Sequence, residues 1–319
     1  MRVFDCHCDT AMAMLFGGKD LAHNDLQISL DRAEKLDGYA QFFGHFTSFA
    51  DQPEYRNKPD HIGSDAAELF EAMCSNFLRQ VQRYPRRVSL CTTAKEAETA
   101  AASGKTAAFL SIEGAEAVGC DPGRLEDAYR LGVRMVSLTW NFENALAGSC
   151  KTGGGLTAQG REFVRRAQDL GMLVDVSHCS DETFWDVCDI TRGPVVASHS
   201  NARALCDHAR NLTDDMFREL CQTGGFAGIN LYTDFLGRDR VTLDTVRAHM
   251  DHFLDLSGGG HVGLGGDLDG CETLPEGFTG VDDYAKLYEV LLAAGMPQGT
   301  VDDIFYNTVM EVVKQVCGI

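Results

Sequence analysis

The residues of this sequence that could bind metal ions lie where short apolar runs stop. His7 and Asp9 stand one residue apart after the first such run, and Glu113 ends a run in the middle of the chain. His178 and His199 occupy the same place after two later runs. Each residue taken alone fits a hydrogen-bonded histidine or a capped turn equally well. Five imidazole and carboxylate groups at equivalent positions predict a centre for zinc or a similar first-row ion.

The number of these groups is enough for two ions. Two metals about 3.5–4 Å apart with a shared carboxylate form a known hydrolytic arrangement. Glu113 is the predicted shared ligand, between one ion on His7 and Asp9 and a second on His178 and His199. A water that bridges such ions loses a proton near neutral pH and becomes a nucleophile. The pattern therefore predicts metal-assisted hydrolysis, in which Glu113 counts as catalytic as well as ligating.

Two further polar residues complete a candidate active site. Asp267 stands in a glycine-rich strand end, GGDLDG, where an inward carboxylate could take a proton from the water and pass it to a leaving amine. The alternative is a turn capped by the aspartate. Arg210 follows the His199 strand and could clamp a substrate carboxylate with two hydrogen bonds, although by itself it also fits a surface arginine.

These residues need a fold that brings several strand ends together. Apolar runs alternate with amphipathic helical patterns seven or eight times, which indicates βα units around a parallel sheet. Strands are predicted at Val3–Phe4, Ala40–Phe46, Thr106–Ile112, Arg134–Thr139, Met172–Val176, Pro194–Ser198, Phe226–Leu231 and His261–Gly265. Helices are predicted at Thr157–Leu170, Asp181–Val187, Thr213–Leu220, Val241–Leu256, Asp282–Ala294 and Asp302–Val316. The count favours a (β/α)8 TIM-type barrel with its site at the carboxyl ends of the strands.

No linker or low-complexity segment divides the chain, so residues 1–319 are predicted to form one domain. The polar segment Asp51–Ser64, with two prolines, is predicted to be a long loop at the top of the barrel. Strand alternation predicts that Cys6 and Cys8 point away from the face of His7, which argues against a ligand role for them.

Charge and the amino-terminal sequence exclude several classes of protein. Lys and Arg number 28 against 47 Asp and Glu, a net charge of −19, which argues against nucleic acid or an anionic membrane surface as a partner. The segment MRVFDCHCDT has no apolar signal region, and no later run reaches the ~18 apolar residues that span a bilayer. We therefore expect a cytoplasmic protein with reduced cysteines.

Several longer stretches, read together, resemble the membrane (renal) dipeptidase family, the zinc-dependent M19 peptidases among the amidohydrolase-type barrels. They run nearly from end to end: FDCHCDT at 4–10, SIEGAE at 111–116, GVRMVSLTWN at 132–141, GMLVDVSH at 171–178, PVVASHSNARALCDHARN at 194–211, GINLY at 228–232, HVGLGGDLDG at 261–270 and IFYNTVMEVV at 304–313. The resemblance implies a dipeptidase that acts on dipeptides, including those with a D-residue at the carboxyl side. It also implies two zinc ions, with another divalent transition metal as the alternative.

Residue by residue, the resemblance assigns the metal ligands to His7, Asp9, Glu113, His178 and His199. It assigns the acid/base role to Asp267, with Asp269 as a weaker alternative, and the substrate carboxylate to Arg210. The same strand end in the family reads T-H, and its histidine contacts the scissile carbonyl oxygen. Here Trp140 takes that place, and its indole can donate only one hydrogen bond. Trp140, Asn141 and Tyr232 are the remaining candidate substrate-binding residues.

Two other functions stay open at this point. The departure at Trp140 allows an amidohydrolase that acts on another small amide, a lactone or an acyl-amino acid. A non-catalytic barrel that keeps its metals is the second alternative. The sequence leaves undecided the preferred dipeptide, its stereochemistry, the metal used in the cell and whether the chain forms a homodimer.

Overall fold

The computed structural model describes residues 1–52, 55 and 61–318 and shows a barrel of parallel strands surrounded by helices. The strands are β1 (Arg2–Cys8), β2 (Gly38–Phe46), β3 (Val88–Leu90), β4 (Thr106–Glu113), β5 (Val133–Ser137), β6 (Leu173–Asp175), β7 (Val195–Val196), β8 (Ala227–Ile229) and β9 (Val262–Leu264). Their order around the sheet is β7-β6-β5-β4-β2-β1-β9-β8, with every pairing parallel. A parallel bridge between Ala197 and Ala227 joins β7 to β8. These eight strands confirm the predicted TIM-type barrel.

The short strand β3 lies outside the barrel and pairs only with the start of β4. This strand is not predicted from the sequence. Its three residues, VSL, carry no turn chemistry or alternation that separates them from a loop. All eight predicted strands are present, and most of them are shorter than their apolar runs.

Helices connect successive strands and cover the outside of the barrel. They are α1 (Thr10–Gly17), α2 (Leu30–Ala33), α3 (Ala66–Arg83), α4 (Ala94–Ala102), α5 (Leu125–Leu131), α6 (Ala158–Asp169), α7 (Asp181–Ile190), α8 (Asp214–Gln222), α9 (Thr233–Leu236), α10 (Leu243–Ser257), α11 (Tyr284–Ala293), α12 (Gln298–Asp302) and α13 (Thr308–Cys317). A π-helical stretch, Asp303–Asn307, joins the last two. Side-chain caps fix the starts of the helices that follow site loops: Thr157, Ser180 and Thr213 each accept a backbone N–H three residues on.

The amino-terminal end of the barrel is filled by apolar side chains, so the barrel is a packed core and not a pore. One buried cluster takes a side chain from nearly every strand and the packed face of α13: Phe4, Phe42, Phe109, Met135, Leu173, Val196, Phe226, Val309 and Val313. The rings of Phe42 and Phe109 stack at 4.9 Å. With this end closed, the polar strand ends can meet a ligand only at the opposite, carboxyl-terminal end.

A β-bulge in β1 changes the direction of one predicted side chain. Asp5 pairs with Gln41, but Cys8 pairs with Phe43, so β1 has one extra residue in this interval. Cys6 packs in the same interior cluster as Phe4, whereas Cys8, beyond the bulge, packs in the other cluster with Val3. The expectation from strand alternation that Cys6 points away from the His7 face is therefore wrong, because the bulge interrupts the alternation.

The segment Asp51–Ser64 is described only in part. A 3-10 turn, Ser48–Asp51, leads into it, and residues 53, 54 and 56–60 lie outside the described residues, as does 319. Within the residues that are described, no helix is both long and apolar enough to cross a membrane.

Candidate active site

Five barrel strands deliver the predicted metal ligands and Asp267 to one point at the carboxyl-terminal end. His7 lies in β1, and Glu113 is the last residue of β4. His178, His199 and Asp267 each stand three residues after the end of a strand, β6, β7 and β9 respectively. This common spacing explains why residues far apart in the sequence converge.

Asp9 precedes α1, but its side chain makes no capping hydrogen bond. The alternative of a helix cap for this residue is therefore wrong. Its Oδ1 lies 3.8 Å from His7 Nε2. His178 and Asp267 have left-handed backbone conformations, with φ of 70° and 56°. Such conformations cost energy in residues other than glycine and occur where a site fixes the direction of a side chain.

Glu113 is the centre of the cluster, and its two carboxylate oxygens face different groups. Oε1 lies 2.8 Å from His178 Nε2 and 3.5 Å from His199 Nε2, whereas Oε2 lies 3.4 Å from His7 Nε2. The rings of His7 and His199 stack at 3.9 Å between centroids. The structure thus brings all five predicted ligands together, with Asp267 Oδ1 3.7 Å from His7 Nε2.

Two of the imidazoles are oriented by hydrogen bonds on the side away from this cluster. His178 Nδ1 lies 3.1 Å from Asn141 Oδ1, and His199 Nδ1 lies 2.6 Å from Ser198 Oγ. When each Nδ1 donates to its oxygen, each Nε2 carries a lone pair. These two Nε2 atoms are only 3.0 Å apart. Two lone pairs at that distance repel each other unless a cation lies between them.

Several buried polar atoms of the cluster lack a hydrogen-bond partner among the described residues. They are His7 Nε2, Asp9 Oδ1 and Glu113 Oε2. Because an unsatisfied buried polar atom costs about 1–3 kcal/mol, such atoms call for an explanation. All three are metal-ligand atoms, and close groupings of such atoms occur in His7, Glu113 and His199 and in His7, Asp9 and Asp267. The donor set therefore fits divalent metal ions.

The electrostatics of the cluster also favour a cation. Burial lowers the pKa of His7, but the charges of Glu113, Asp9 and Asp267 outweigh it and raise the pKa to about 10. Burial, together with the charge of Arg210, lowers the pKa of His178 to about 4, and burial holds that of His199 well below its usual range. The carboxylates thus attract positive charge, while His178 and His199 remain neutral imidazoles, the form that ligates metals.

Asp267 is held by a residue that the sequence analysis quoted but gave no role. Asn230 Nδ2 donates to Asp267 Oδ2 at 3.0 Å, and its Oδ1 accepts the backbone N–H of Tyr232 at 2.7 Å. Burial raises the pKa of the Asp267 carboxyl above its usual range. Asn230 follows β8 directly, so the rule that identified the ligands at strand ends could have identified it as well.

A pocket of about 480 Å³ opens over the cluster. Arg210 lines it and is only 5% exposed, yet its Nε and Nη1 have no partner in the described part of the chain. Nη2 donates to the carbonyl of His199 at 3.3 Å. The guanidinium is therefore positioned with two free donors, as the recognition of a carboxylate requires.

The other predicted substrate-binding residues also line this pocket. The Trp140 ring lies 4.3 Å from Phe46 and 6.1 Å from His178. Asn141 directs its oxygen to His178, and Tyr232 packs edge-on against Phe235. Lys151 and His208 line the pocket too. Neither residue was predicted from the sequence, because each lies in a loop several residues from any strand end.

Comparisons with known proteins agree with this geometry. The family model described as membrane dipeptidase, peptidase family M19, matches residues 1–318. A Klebsiella pneumoniae protein, known as an uncharacterised protein of the pqqA 5' region, is 35% identical over 243 residues, which are 72% of this chain and 89% of that protein. An uncharacterised dipeptidase of Schizosaccharomyces pombe is 40% identical over 198 residues, which are 59% of this chain and 47% of that protein. The match thus spans about half of the fission yeast protein.

Solved structures give the same answer over nearly the whole chain. A metallo peptidase from Rhodobacter sphaeroides, liganded with a phosphinate mimic of the dipeptide L-Ala-D-Ala, has a TM-score of 0.89 at 26% identity and covers 99% of both chains. A dipeptidase of family M19 has a TM-score of 0.89 at 27% identity and covers 100% of this chain and 99% of its own. The resemblance found in the sequence motifs is confirmed, and the chain belongs to the membrane dipeptidase family, the M19 metallopeptidases.

Proposed function

We infer that this protein is a metal-dependent dipeptidase that hydrolyses the single peptide bond of a dipeptide. The observation that carries this inference is the joint position of two features in one pocket. One is the cluster of ligand atoms around Glu113, and the other is the buried Arg210 guanidinium with two unpartnered donors. A pocket of about 480 Å³ suits a small molecule whose free carboxylate lies near the reacting bond.

Two zinc ions fit the donor set best. His7 and Asp9 would hold the first ion and His178 and His199 the second, with Glu113 shared, because the two Glu113 oxygens face different imidazoles. Bound zinc polarises a carbonyl oxygen and lowers the pKa of a water molecule to near neutrality. Another divalent transition metal is the alternative, since imidazole and carboxylate ligands do not select zinc alone.

The side chains of the pocket supply the remaining steps. Arg210 binds the substrate carboxylate and so fixes the register of the scissile bond above Glu113. Asp267, held by Asn230, accepts the proton released as water attacks the carbonyl and returns it to the leaving amine. Trp140 and Phe46 form an apolar wall that excludes water from one side of the pocket.

Metal analysis and a dipeptide panel test the proposal. Purified protein should contain about two equivalents of zinc per chain, should lose L-Ala-L-Ala and L-Ala-D-Ala hydrolysis after chelation, and should recover it with added zinc. A Glu113→Gln variant should bind less zinc and remain inactive on both peptides. A metal-free preparation that gains no activity with zinc or another divalent transition metal would contradict the proposal.

Trp140 favours a second candidate, an amidohydrolase for another small amide, a lactone or an acyl-amino acid. Its ring, with Phe46 at 4.3 Å and Phe142 at 5.4 Å, makes an apolar surface that suits an acyl chain. Faster cleavage of N-acyl amino acids than of dipeptides would select this candidate. Two expectations from the sequence stay predictions, namely a single domain over residues 1–319 and a cytoplasmic location. A homodimer stays a prediction as well.

A further inference from the structure

The loop that follows β5 carries a lysine at the edge of the pocket, and backbone bonds fasten this loop. Lys151 stands directly after Cys150, whose backbone N–H donates to the carbonyl of the candidate ligand His178 at 2.8 Å. Ser149 pairs with Cys179 in an antiparallel bridge, and the loop is closed by a second bridge between Ala147 and Leu156. These backbone bonds fasten the loop to the strand end that carries His178, so Lys151 lines the pocket beside the candidate metal centre.

Lys151 belongs to the same end of the pocket as Arg210 and His208. Burial lowers the pKa of His208, and the charges of Arg210 and Lys151 lower it further, although Asp234 acts in the opposite sense. His208 Nδ1 accepts the backbone N–H of Arg210 at 3.1 Å, which leaves the ring proton on Nε2. This end of the pocket thus combines two cations and one neutral donor with a single carboxylate, that of Asp234.

The donors at this end exceed what one carboxylate uses. A carboxylate bound in bidentate fashion occupies two parallel N–H groups of a guanidinium, and Arg210 can offer Nη1 together with the second N–H of Nη2. The Lys151 ammonium is then left over, and it lies within 4.0 Å of no carboxylate among residues 1–52, 55 and 61–318. Lys19 pairs with Asp25 at 2.6 Å and Lys35 with Asp282 at 2.7 Å. Lys95 and Lys105 also lack such a partner among the described residues, but of these unpaired lysines Lys151 is the one that lines the pocket over the cluster.

We propose that the pocket prefers dipeptides whose carboxyl-terminal residue is acidic, with Arg210 on the α-carboxylate and Lys151 on the side-chain carboxylate. The proposal rests on dipeptide hydrolysis as the function. His208 donates from Nε2 to either carboxylate and packs its ring on Phe235 at 4.6 Å, which holds the donor at the edge of the pocket. The carboxylates around the candidate metal centre disfavour an acidic residue at the amino-terminal position, so the preference is confined to one end of the substrate.

Isosteric substrates measure this preference directly. Ala-Glu and Ala-Gln differ by one charge and almost nothing in shape, and each is used with an L- and a D-residue at the second position. For zinc-loaded wild-type protein, we expect a higher kcat/KM for Ala-Glu than for Ala-Gln. The ratio should fall by about two- to fivefold in Lys151→Ala, since an exposed charged contact contributes modestly. It should fall further in Lys151→Glu, and Lys151→Arg should keep most of it.

Lys95→Ala is the matched control, because Lys95 is an exposed lysine on α4 that does not line the pocket. This variant should keep both the ratio and the wild-type activity. Added salt should reduce the Ala-Glu preference of the wild type through screening. An equal kcat/KM for the two peptides, or a ratio unchanged in Lys151→Ala, would overturn the proposal while the dipeptidase function stands. Hydrolysis of L-Ala-D-Ala but of none of the four peptides would also overturn it, whereas hydrolysis of no dipeptide at all would instead remove the function on which it rests.

Discussion

The buried carboxylate of Asp175 lies behind the candidate metal centre and fixes the orientation of His199. Its Oδ2 accepts the hydroxyl of Ser198 at 2.7 Å and that of Ser137 at 2.5 Å. Its Oδ1 accepts the backbone N–H groups of Ser177 at 3.0 Å and Ser198 at 2.8 Å. Because the Ser198 hydroxyl gives its one proton to Asp175, its oxygen accepts from His199 Nδ1 at 2.6 Å. The His199 lone pair is therefore kept on Nε2, towards the cluster.

We expect Asp175→Asn to weaken zinc binding at the His178 and His199 position by about 10–100-fold, the usual effect of changing a group that orients a metal ligand. This corresponds to about 1.4–2.7 kcal/mol. The amide removes a negative charge near the cation, and its NH2 group cannot accept the Ser198 proton. Competition with a chromophoric chelator measures the two zinc affinities separately. The ion held by His7 and Asp9 should keep its affinity.

Asp283→Asn controls for the loss of a buried carboxylate as such. Asp283 is 9% exposed, accepts the N–H and hydroxyl of Thr279, and does not line the pocket. This variant should lower the melting temperature of the metal-free protein without changing either zinc affinity. If folded Asp175→Asn protein binds both ions as tightly as the wild type does, the role assigned to Asp175 is refuted.

Three more outcomes follow from the same site and from the barrel wall. Arg210→Ala should raise KM by about 10–100-fold for dipeptides with a free carboxylate but not for their C-terminal amides, since only the free acids lose charged hydrogen bonds. An equal rise in KM for both would contradict carboxylate binding by Arg210. Trp140→His should increase kcat for L-Ala-D-Ala by about tenfold or more, because one hydrogen-bond donor to the developing oxyanion is worth ~10²–10³ in rate. An unchanged or lower kcat would show that the pocket does not need this donor. Burial lowers the pKa of His45 to about 4. As the pH falls from 6.5 to 4, the unfolded state therefore binds this proton before the folded state does, and the free energy of unfolding should fall by about 3 kcal/mol over that interval. Urea unfolding at several pH values should show a smaller loss of unfolding free energy for His45→Asn, which keeps a donor for the carbonyls of Phe43 and Ser111. An equal loss in this variant would exclude His45 as the cause.

The barrel and the convergence of the ligand side chains could be predicted because both depend on periodicity. Apolar runs of strand length marked β4, β5 and β6 closely. Once the strands are parallel and the sheet closes, every residue just beyond a strand reaches the same end. Glu113 and His178 therefore meet although 65 positions separate them in the sequence (178 − 113). No side-chain interaction had to be known for that prediction.

Local departures from this periodicity could not be predicted. The bulge in β1 lets His7 reach the site although its neighbour Cys6 also packs inside the barrel, and the residues FDCHC carry no glycine or proline that would mark it. Strand β3 was missed for a related reason, since three residues contain too little pattern. In both cases the backbone conformation is determined by packing against neighbouring strands and not by a preference of the segment itself.

The groups that orient and select were the hardest to foresee, because they act through contacts that the order of strands does not determine. Asp175 sits within β6 and looks in sequence like one polar residue of a buried strand, MLVDV, yet it accepts four hydrogen bonds behind His199. Lys151 lies in a glycine-rich loop, and backbone bonds such as that from Cys150 to His178 bring it to the pocket. The reactive centre of such a barrel is thus encoded by position along the strands, whereas its specificity is encoded by how the loops are tied back to those strands. Trp140 stands between the two, at a strand end but directed into the pocket wall, and it is here that the chain departs from the pattern of its family.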